Sequence, residues 1–447
     1  MCPCARWPVG TSHSFFAPFS LLQLRQVDMQ AWRRWAAMGV AMGVIGALLP
    51  LVGEHEQERE RRVTLEAPLR RMVEAPTVAR PGPPDLTGLD LVHLQLRDDR
   101  VEASLEGGRS AQLTLDPALQ RTTRSLLERY DVPEAGVVLM NARSGALLVY
   151  ASHVGNGEAF DVNVRAEAPA ASVFKLVTAA ALLEKPGIGA QTEQCYRGGS
   201  SRIQADELRD DPALDRWCAS LAMAMGKSIN VVFARLARRW LTPEGLRASA
   251  SSLGFGAPVP FDVPNEAARA DLPDDSLEFA RAAAGFWHTT LSPLAAASLA
   301  QTIASGGATY QPRIVRSVRE NDETLWQAPH EASTLRRALP SRIAHELTTM
   351  MLQTVASGSA YKSFHNERGA PYLPRIGVAG KTGTLARHED ERHYTWFVGF
   401  APADRPEVAI ATLVVNTPSW RIKGPQLARE VLRAYFAQKG APGVTSP

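Results

Sequence analysis

The chain has 447 residues, with 49 Lys and Arg against 46 Asp and Glu and a net charge of +3. At 45% hydrophobic and 21% charged it can bury a large core, and so balanced a charge, with no basic cluster interleaved with aromatics, excludes a nucleic-acid partner. Its four cysteines form no Cys-x-x-Cys pair and its histidines no cluster, so the expectation is no metal and no cofactor.

The first feature in chain order is an uncharged run of 18 residues, 35–52, at the short end of what spans a bilayer core as a helix. Arg33 and Arg34 precede it and Glu54, Glu56 and Glu58 follow, which orients its N-terminus to the cytoplasm. No A-x-A-like site closes the run, so an uncleaved transmembrane helix is favoured over a signal peptide. Residues 1–34 are then a short cytoplasmic segment, and Met29 is a second candidate start that would leave 1–28 untranslated. Residues 53–90, polar and then Pro-rich, read as a periplasmic spacer. The remaining domain, 91–440, is expected in the periplasm, held by a single pass through the inner membrane. Cys195 and Cys218 fall inside it; export permits a disulfide between them, and two buried thiols are the alternative.

Residues 91–115 alternate apolar and polar around turns at Asp98-Asp99 and Gly107-Gly108, which predicts short antiparallel strands. Asp116 can cap, and Pro117 begin, a helix running to about Tyr130. Residues 137–151 predict two strands around Arg143-Ser144-Gly145. A mostly helical middle spans 172–304, with a helix start at Thr242-Pro243-Glu244. Strands are expected again at 375–385, 395–400 and 408–415. A last amphipathic helix, 426–436, puts Leu427, Val431, Leu432 and Tyr435 on one face. Short loops join the late strands, so the sheet is mainly antiparallel. The fold class is α/β (α+β): that sheet, helices on both its faces and a helical subdomain.

Three short motifs carry the chemistry: Ser172-Val173-Phe174-Lys175, Ser228-Ile229-Asn230 and Lys381-Thr382-Gly383-Thr384. Each alone is weak, since S-x-x-K arises by chance in helices, S-x-N is most often a cap and a lone K-T-G a hairpin turn. The first opens a helix whose body, 176–183, is apolar nearly all round and therefore buried. A spacing of three puts Ser172 and Lys175 on one helical face, about 5–6 Å apart at Cβ. A hydroxyl is a poor nucleophile until a neighbour takes its proton, and a desolvated lysine can be that base. Ser228 offers a second hydroxyl to relay a proton to a leaving amine. Asn230 offers a donor and an acceptor, enough to hold Lys175 and a substrate amide together. Gly383 lets a peptide backbone approach the strand closely and add as an extra strand. The Thr382 and Thr384 hydroxyls and the Lys381 charge suit a terminal carboxylate. The N–H groups of Ser172 and Thr384 suit an oxyanion.

All three motifs in this order resemble the set carried by serine β-lactamases and penicillin-binding proteins. The resemblance covers roughly 91–436. Leu113-Thr-Leu-Asp-Pro-Ala-Leu-Gln120, Leu253-Gly-Phe-Gly256, Leu291-Ser-Pro-Leu294, Ile303-Ala-Ser-Gly-Gly307 and Trp396-Phe-Val-Gly-Phe-Ala-Pro402 are similar to further signatures of the transpeptidase domain. The chain is thereby identified as a member of the penicillin-binding transpeptidases, of the monofunctional type without a glycosyltransferase domain. The resemblance implies that Ser172 is acylated, that Lys175 is its base, and that Ser228 and Asn230 form the second motif. It implies that Lys381, Thr382 and Thr384 bind the carboxylate of substrate or drug. It also implies two steps: attack on the D-Ala-D-Ala bond of a peptidoglycan stem peptide with release of D-alanine, then transfer of the acyl group to an amine. β-Lactams, which mimic the dipeptide, would trap the serine. Two departures stand out: the usual pedestal is shortened to a spacer, and the usual Pro-Gly before the serine reads Ala170-Ala171.

A D,D-carboxypeptidase, in which water takes the acyl group, stands beside the transpeptidase. A β-lactamase is disfavoured, because the 153 residues from Ser228 to Lys381 are long for those enzymes and contain no Glu-x-x-x-Asn element to position a water. A non-catalytic β-lactam sensor or scaffold is opposed by the short cytoplasmic segment and by the presence of every motif residue. His388, His393 and Glu389-Asp390-Glu391 read as a solvated loop, and Trp287-His288 as packing or the border of a cleft.

Overall fold

The computed structural model describes residues 84–447 apart from 200, 201, 322, 330 and 388–390. The expected anchor at 35–52, most of the spacer, Cys2 and Cys4, and His388, Glu389 and Asp390 lie outside the described residues. Among those described, no helix is long and apolar enough to cross a membrane.

Strands β1 (Gln95–Leu96), β2 (Val101–Ser104) and β3 (Ser110–Leu113) pair antiparallel around the predicted turns. Helix α1 (Pro117–Tyr130) starts as its sequence dictates. The Asp116 carboxylate accepts from the N–H groups of Ala118 and Leu119, and Pro117 takes the first position, where no N–H is needed. The hairpin β4 (Glu134–Asn141) and β5 (Leu147–Val154) follows. Every residue of α2 (Lys175–Leu183) is buried, as an all-round apolar helix must be.

A hairpin, β6 (Glu193–Tyr196) and β7 (Trp217–Ser220), then leads into α3 (Leu221–Lys227), α4 (Asn230–Trp240) and α5 (Pro243–Ser252). A two-residue strand β8 (Arg269–Ala270), α6 (Ser276–Ala283), its partner strand β9 (Thr289–Thr290) and α7 (Pro293–Ala304) complete the helical middle. Residues 305–374, to which sequence assigns no element, hold β10 (Ala308–Tyr310), β11 (Val315–Glu320), β12 (Glu323–Gln327), β13 (Thr334–Arg337), α8 (Ser341–Ala356) and α9 (Tyr361–Phe364). The chain closes with β14 (Ala379–Arg387), β15 (Arg392–Ala401), β16 (Val408–Asn416) and α10 (Gly424–Gln438). The strand expected from 375 begins only at Ala379. Arg375 takes a φ of 63° and the Gly377 carbonyl accepts from the Ala403 N–H, so these residues form the turn that enters it.

Five strands build the central sheet in the order β14-β15-β16-β4-β5, every neighbour antiparallel. A second antiparallel sheet runs β1-β2-β3-β11-β12. Side chains alternate across the central sheet. On β15, Trp396, Val398 and Phe400 join the core that contains Leu176 and Val177 of α2 and Leu299 of α7. Phe397 between them joins Leu427, Val431 and Leu432 of α10 and Leu126 of α1 in the core beneath the other face. Helices therefore cover both faces, and β14, hydrogen-bonded only to β15, is an edge strand.

Cys195 and Cys218 face each other across β6 and β7 and are disulfide-bonded, which decides between the two readings of these cysteines. The bridge closes a separation of 23 residues. Replacing both cysteines by serine is expected to cost about 3 kcal/mol, read as a lower melting temperature. A melting temperature insensitive to both the replacement and a reductant would show that the bridge contributes nothing.

Candidate active site

Ser172 does not begin the α-helix itself. It lies in the 3-10 turn Ala171–Phe174, which runs straight into α2. Ala171 has a φ of 50°, a left-handed conformation that a residue with a Cβ holds only when its surroundings enforce it. Two bonds anchor the residues just before it. The indole Nε1 of Trp396 donates to the Pro169 carbonyl at 2.9 Å, and the Ala170 N–H donates to the Thr289 carbonyl at 3.0 Å.

Lys175 is fully buried. Its Nζ lies 2.8 Å from Ser172 Oγ and 2.7 Å from Asn230 Oδ1, and it bonds the Ala284 carbonyl. Burial holds this amine well below the ordinary lysine range, and the positive charge of Lys381 pushes it the same way. A neutral amine has two N–H bonds and one lone pair. The oxygens of Asn230 and Ala284 only accept, so they take both N–H bonds and leave the lone pair for the Ser172 hydroxyl proton. The geometry is that of a base aimed at one hydroxyl.

The second motif sits where α3 gives way to α4. Ser228 caps α3 with a φ of 58°, and Asn230 is the first residue of α4. Both helices are tied to the disulfide hairpin. Ser220, the last residue of β7, accepts from the Met223 N–H at 3.1 Å to cap α3. Arg235 of α4, 1% exposed, donates to both Asp215 oxygens at 2.6 and 2.9 Å and to the Cys195 carbonyl at 2.8 Å.

The third motif lies on β14. Lys381 is fully buried and donates to Ser228 Oγ and to the Thr382 carbonyl, each at 2.9 Å. Burial brings its amine down to about 7. The sequence assigns Lys381 to a substrate carboxylate; in the fold its Nζ rests against Ser228, joining the second motif to the third. Thr382 is nearly buried and Thr384 exposed. Gly383 lies so close to the nucleophile turn that a Cβ there would sit 3.2 Å from Val173 Cγ2. The three motifs, which share no element, thus converge on one pair of buried lysines. Among the described residues, no group of three His, Cys, Asp or Glu side chains could hold a metal ion.

Three features escape the sequence reading. The Ala284 carbonyl on Lys175 is backbone and has no sequence signature. Gly285, with a φ of 85°, follows an Ala-rich helical run and reads only as a helix C-terminus. Yet a Cβ there would lie 2.4 Å from the Ala171 carbonyl oxygen and 2.9 Å from Ser172 Cα. Ser359 reaches Thr382 from the turn after α8. Trp287 and His288, both with positive φ, do border a cleft: with Leu385 and Ala386 of β14 they line a cavity of about 400 Å³.

The chain is similar to a peptidoglycan D,D-transpeptidase, PbpA, of Mycobacterium tuberculosis: 31% identical over 262 residues, which cover 56% of this chain and 50% of the relative. It spans about half the length of this relative and of a PbpA from Mycolicibacterium smegmatis to which it is also similar. Among solved structures, the D,D-transpeptidase domain of a peptidoglycan glycosyltransferase from Eggerthella lenta matches with a TM-score of 0.61 and 25% identity, over 74% of this chain and 83% of that one. The penicillin G acyl-enzyme complex of penicillin-binding protein A from M. tuberculosis shares the fold with a TM-score of 0.59 and 23% identity, over 74% of this chain and 80% of that one. The family model for the penicillin-binding protein transpeptidase domain matches residues 135–436, from the first central strand to the last helix, and on that extent the chain belongs to this family.

Proposed function

We infer that the protein is a peptidoglycan D,D-transpeptidase that works through an acyl-enzyme on Ser172. The observation that carries this reading is the environment of Lys175, fully buried with its Nζ 2.8 Å from Ser172 Oγ and bonded to the Asn230 Oδ1 and Ala284 carbonyl oxygens, so that once neutral it has a lone pair for the Ser172 proton. Lys175 takes the hydroxyl proton as Ser172 Oγ attacks the carbonyl carbon of the penultimate D-alanine. The N–H groups of Ser172 and Thr384 receive the developing oxyanion. The C–N bond then breaks, and the departing D-alanine amine takes a proton through Ser228 Oγ, which Lys381 holds at 2.9 Å. A second stem peptide supplies an amine that attacks the ester, loses its proton to the site and frees Ser172. Water in its place would give a carboxypeptidase, and the mass of the released peptide distinguishes the two.

Asn230 orients Lys175, and Thr382, Gly383 and Thr384 receive the peptide along the open edge of β14, with its carboxylate on the two threonines. β-Lactams enter the same groove. The name of the M. tuberculosis relative and the acyl-enzyme described for a protein of the same fold support this reading. For location, the uncharged run at 35–52 with arginines before and glutamates after supports an inner-membrane anchor with the domain in the periplasm. The Cys195–Cys218 disulfide supports an oxidising compartment for it.

The test is the intact mass of the protein after incubation with benzylpenicillin, beside Ser172→Ala. One stable adduct in the wild type, absent from the variant, is expected. An unmodified wild type, or an adduct that persists in Ser172→Ala, would refute the assignment.

A further inference from the structure

The turn between α8 and α9 carries a residue outside the three motifs that is built into two of them. Ser359 Oγ lies 2.6 Å from Thr382 Oγ1, and its N–H donates to the Gly226 carbonyl at 2.9 Å, in the last turn of α3. Its neighbour Gly358 packs backbone to backbone on that turn, where a Cβ would lie 2.1 Å from the Gly226 oxygen. The position of Ser359 is therefore set by the helix that ends at Ser228, while its hydroxyl reaches the strand that carries Lys381 and Thr382. Along that strand Thr382 and Thr384 alternate onto the same face.

We propose that Ser359 is a positioning residue for the ligand carboxylate, acting through Thr382; this rests on the function inferred above. A hydroxyl has one proton and two lone pairs, whereas a carboxylate has lone pairs only. If Thr382 donates to Ser359, its proton is consumed and it meets the carboxylate lone pair to lone pair. If Ser359 donates to Thr382, the Thr382 proton is free to point at the carboxylate. An arriving anion selects the second arrangement. The chain from Ser359 through Thr382 to the carboxylate then runs in one direction, each bond strengthening the next, and its last link is charge-assisted. Without the Ser359 hydroxyl, that bond no longer holds the Thr382 O–H toward the carboxylate, and the hydroxyl hydrogen turns freely.

The role is read with two donors that differ only in the carboxylate: an N-acyl-D-alanyl thioester whose leaving thiol ends in a carboxylate, and its methyl ester. Each acylates Ser172 with formation of the C–O bond, rupture of the C–S bond and return of the serine proton to the thiol. For the carboxylate donor, Ser359→Ala is expected to lower the acylation efficiency about tenfold, the size of one good hydrogen bond to a charge, with the change mainly in KM. For the methyl ester it should leave the rate as in the wild type. Ser359→Thr, which keeps the hydroxyl, should restore the carboxylate donor, and the melting temperature should match the wild type in both variants. Equal losses for the two donors, no loss for either, or failure of threonine to restore the rate would overturn this role alone. A wild type that reacts with neither donor nor benzylpenicillin would overturn the inferred function and this role with it.

Discussion

Lys175→Met is expected to leave a folded protein whose acylation by benzylpenicillin is slower by roughly 10³–10⁴-fold, the upper part of what one positioned base supplies. Methionine fills the space of the lysine stem with a flexible apolar chain but has no lone pair basic enough to take the Ser172 proton. Two opposed terms set the variant's stability: the apolar side chain lacks the desolvation cost of a buried amine, and it takes away the donor to the Asn230 and Ala284 oxygens. These terms are of similar size, so the melting temperature is expected to stay within a few degrees of the wild type. The pH dependence separates this from a packing defect. Lys175 must be neutral to accept a proton, so wild-type acylation falls as acid recharges it, and the low pKa imposed by burial puts that fall well below the ordinary lysine range. The methionine variant should lack this acid limb. A variant that still acylates within about tenfold of the wild type, less than general-base catalysis supplies, would move the base to the Ser228 and Lys381 pair.

The second large effect is expected at Gly285, a residue outside the three motifs. Alanine there must adopt a φ of 85° and place its Cβ 2.4 Å from the Ala171 carbonyl oxygen. The left-handed backbone costs about 1–2 kcal/mol and the overpacking about 1–3 kcal/mol more. The clash is relieved most directly by a shift of the turn that holds Ser172. Displacing a nucleophile by about 1 Å lowers the rate on the order of 10²-fold. Gly285→Ala should therefore lose both melting temperature and acylation rate. Acylation is measured at a temperature where circular dichroism shows the variant folded, so the two losses are read apart. A variant that matches the wild type in both would mean that the 284–285 segment moves away at no cost and does not fix the nucleophile.

The motif residues and their elements are legible because local rules decide them. The buried α2 follows from an all-apolar stretch, the start of α1 from Asp116 and Pro117, and β15 and β16 from apolar runs with short connections. The architecture follows from those elements. What is illegible is set by distant partners. The 3-10 turn at Ser172 is enforced by Pro169, Ala170 and Ala171 meeting Trp396, Thr289 and Gly285, each remote in sequence. Lys381 meets Ser228 across 153 residues, so its partner could not be read from spacing. Helix α8 is periodic, with Ile343, Leu347, Met350, Met351 and Thr354 buried, and Gly358 follows its C-cap, but it has no side-chain cap at Pro340, so its start is unmarked. Strands β12 and β13 are mostly exposed and so carry no apolar alternation to find.

The two buried lysines also alter the proton inventory of folding. In the unfolded chain both are ordinary cations with pKa near 10.5. In the native protein Lys381 titrates at about 7 and Lys175 well below its ordinary range. Between about 7 and 10.5 the unfolded chain holds the Lys381 proton and the native one does not, so unfolding takes up a proton and stability climbs with pH across that window. Lys175, lowered by the same burial, adds to the slope in the same direction. Acidification therefore acts on one variable with two readouts, recharging the pocket against the fold while removing the lone pair that the nucleophile needs. The same protons that silence the site loosen the scaffold around it.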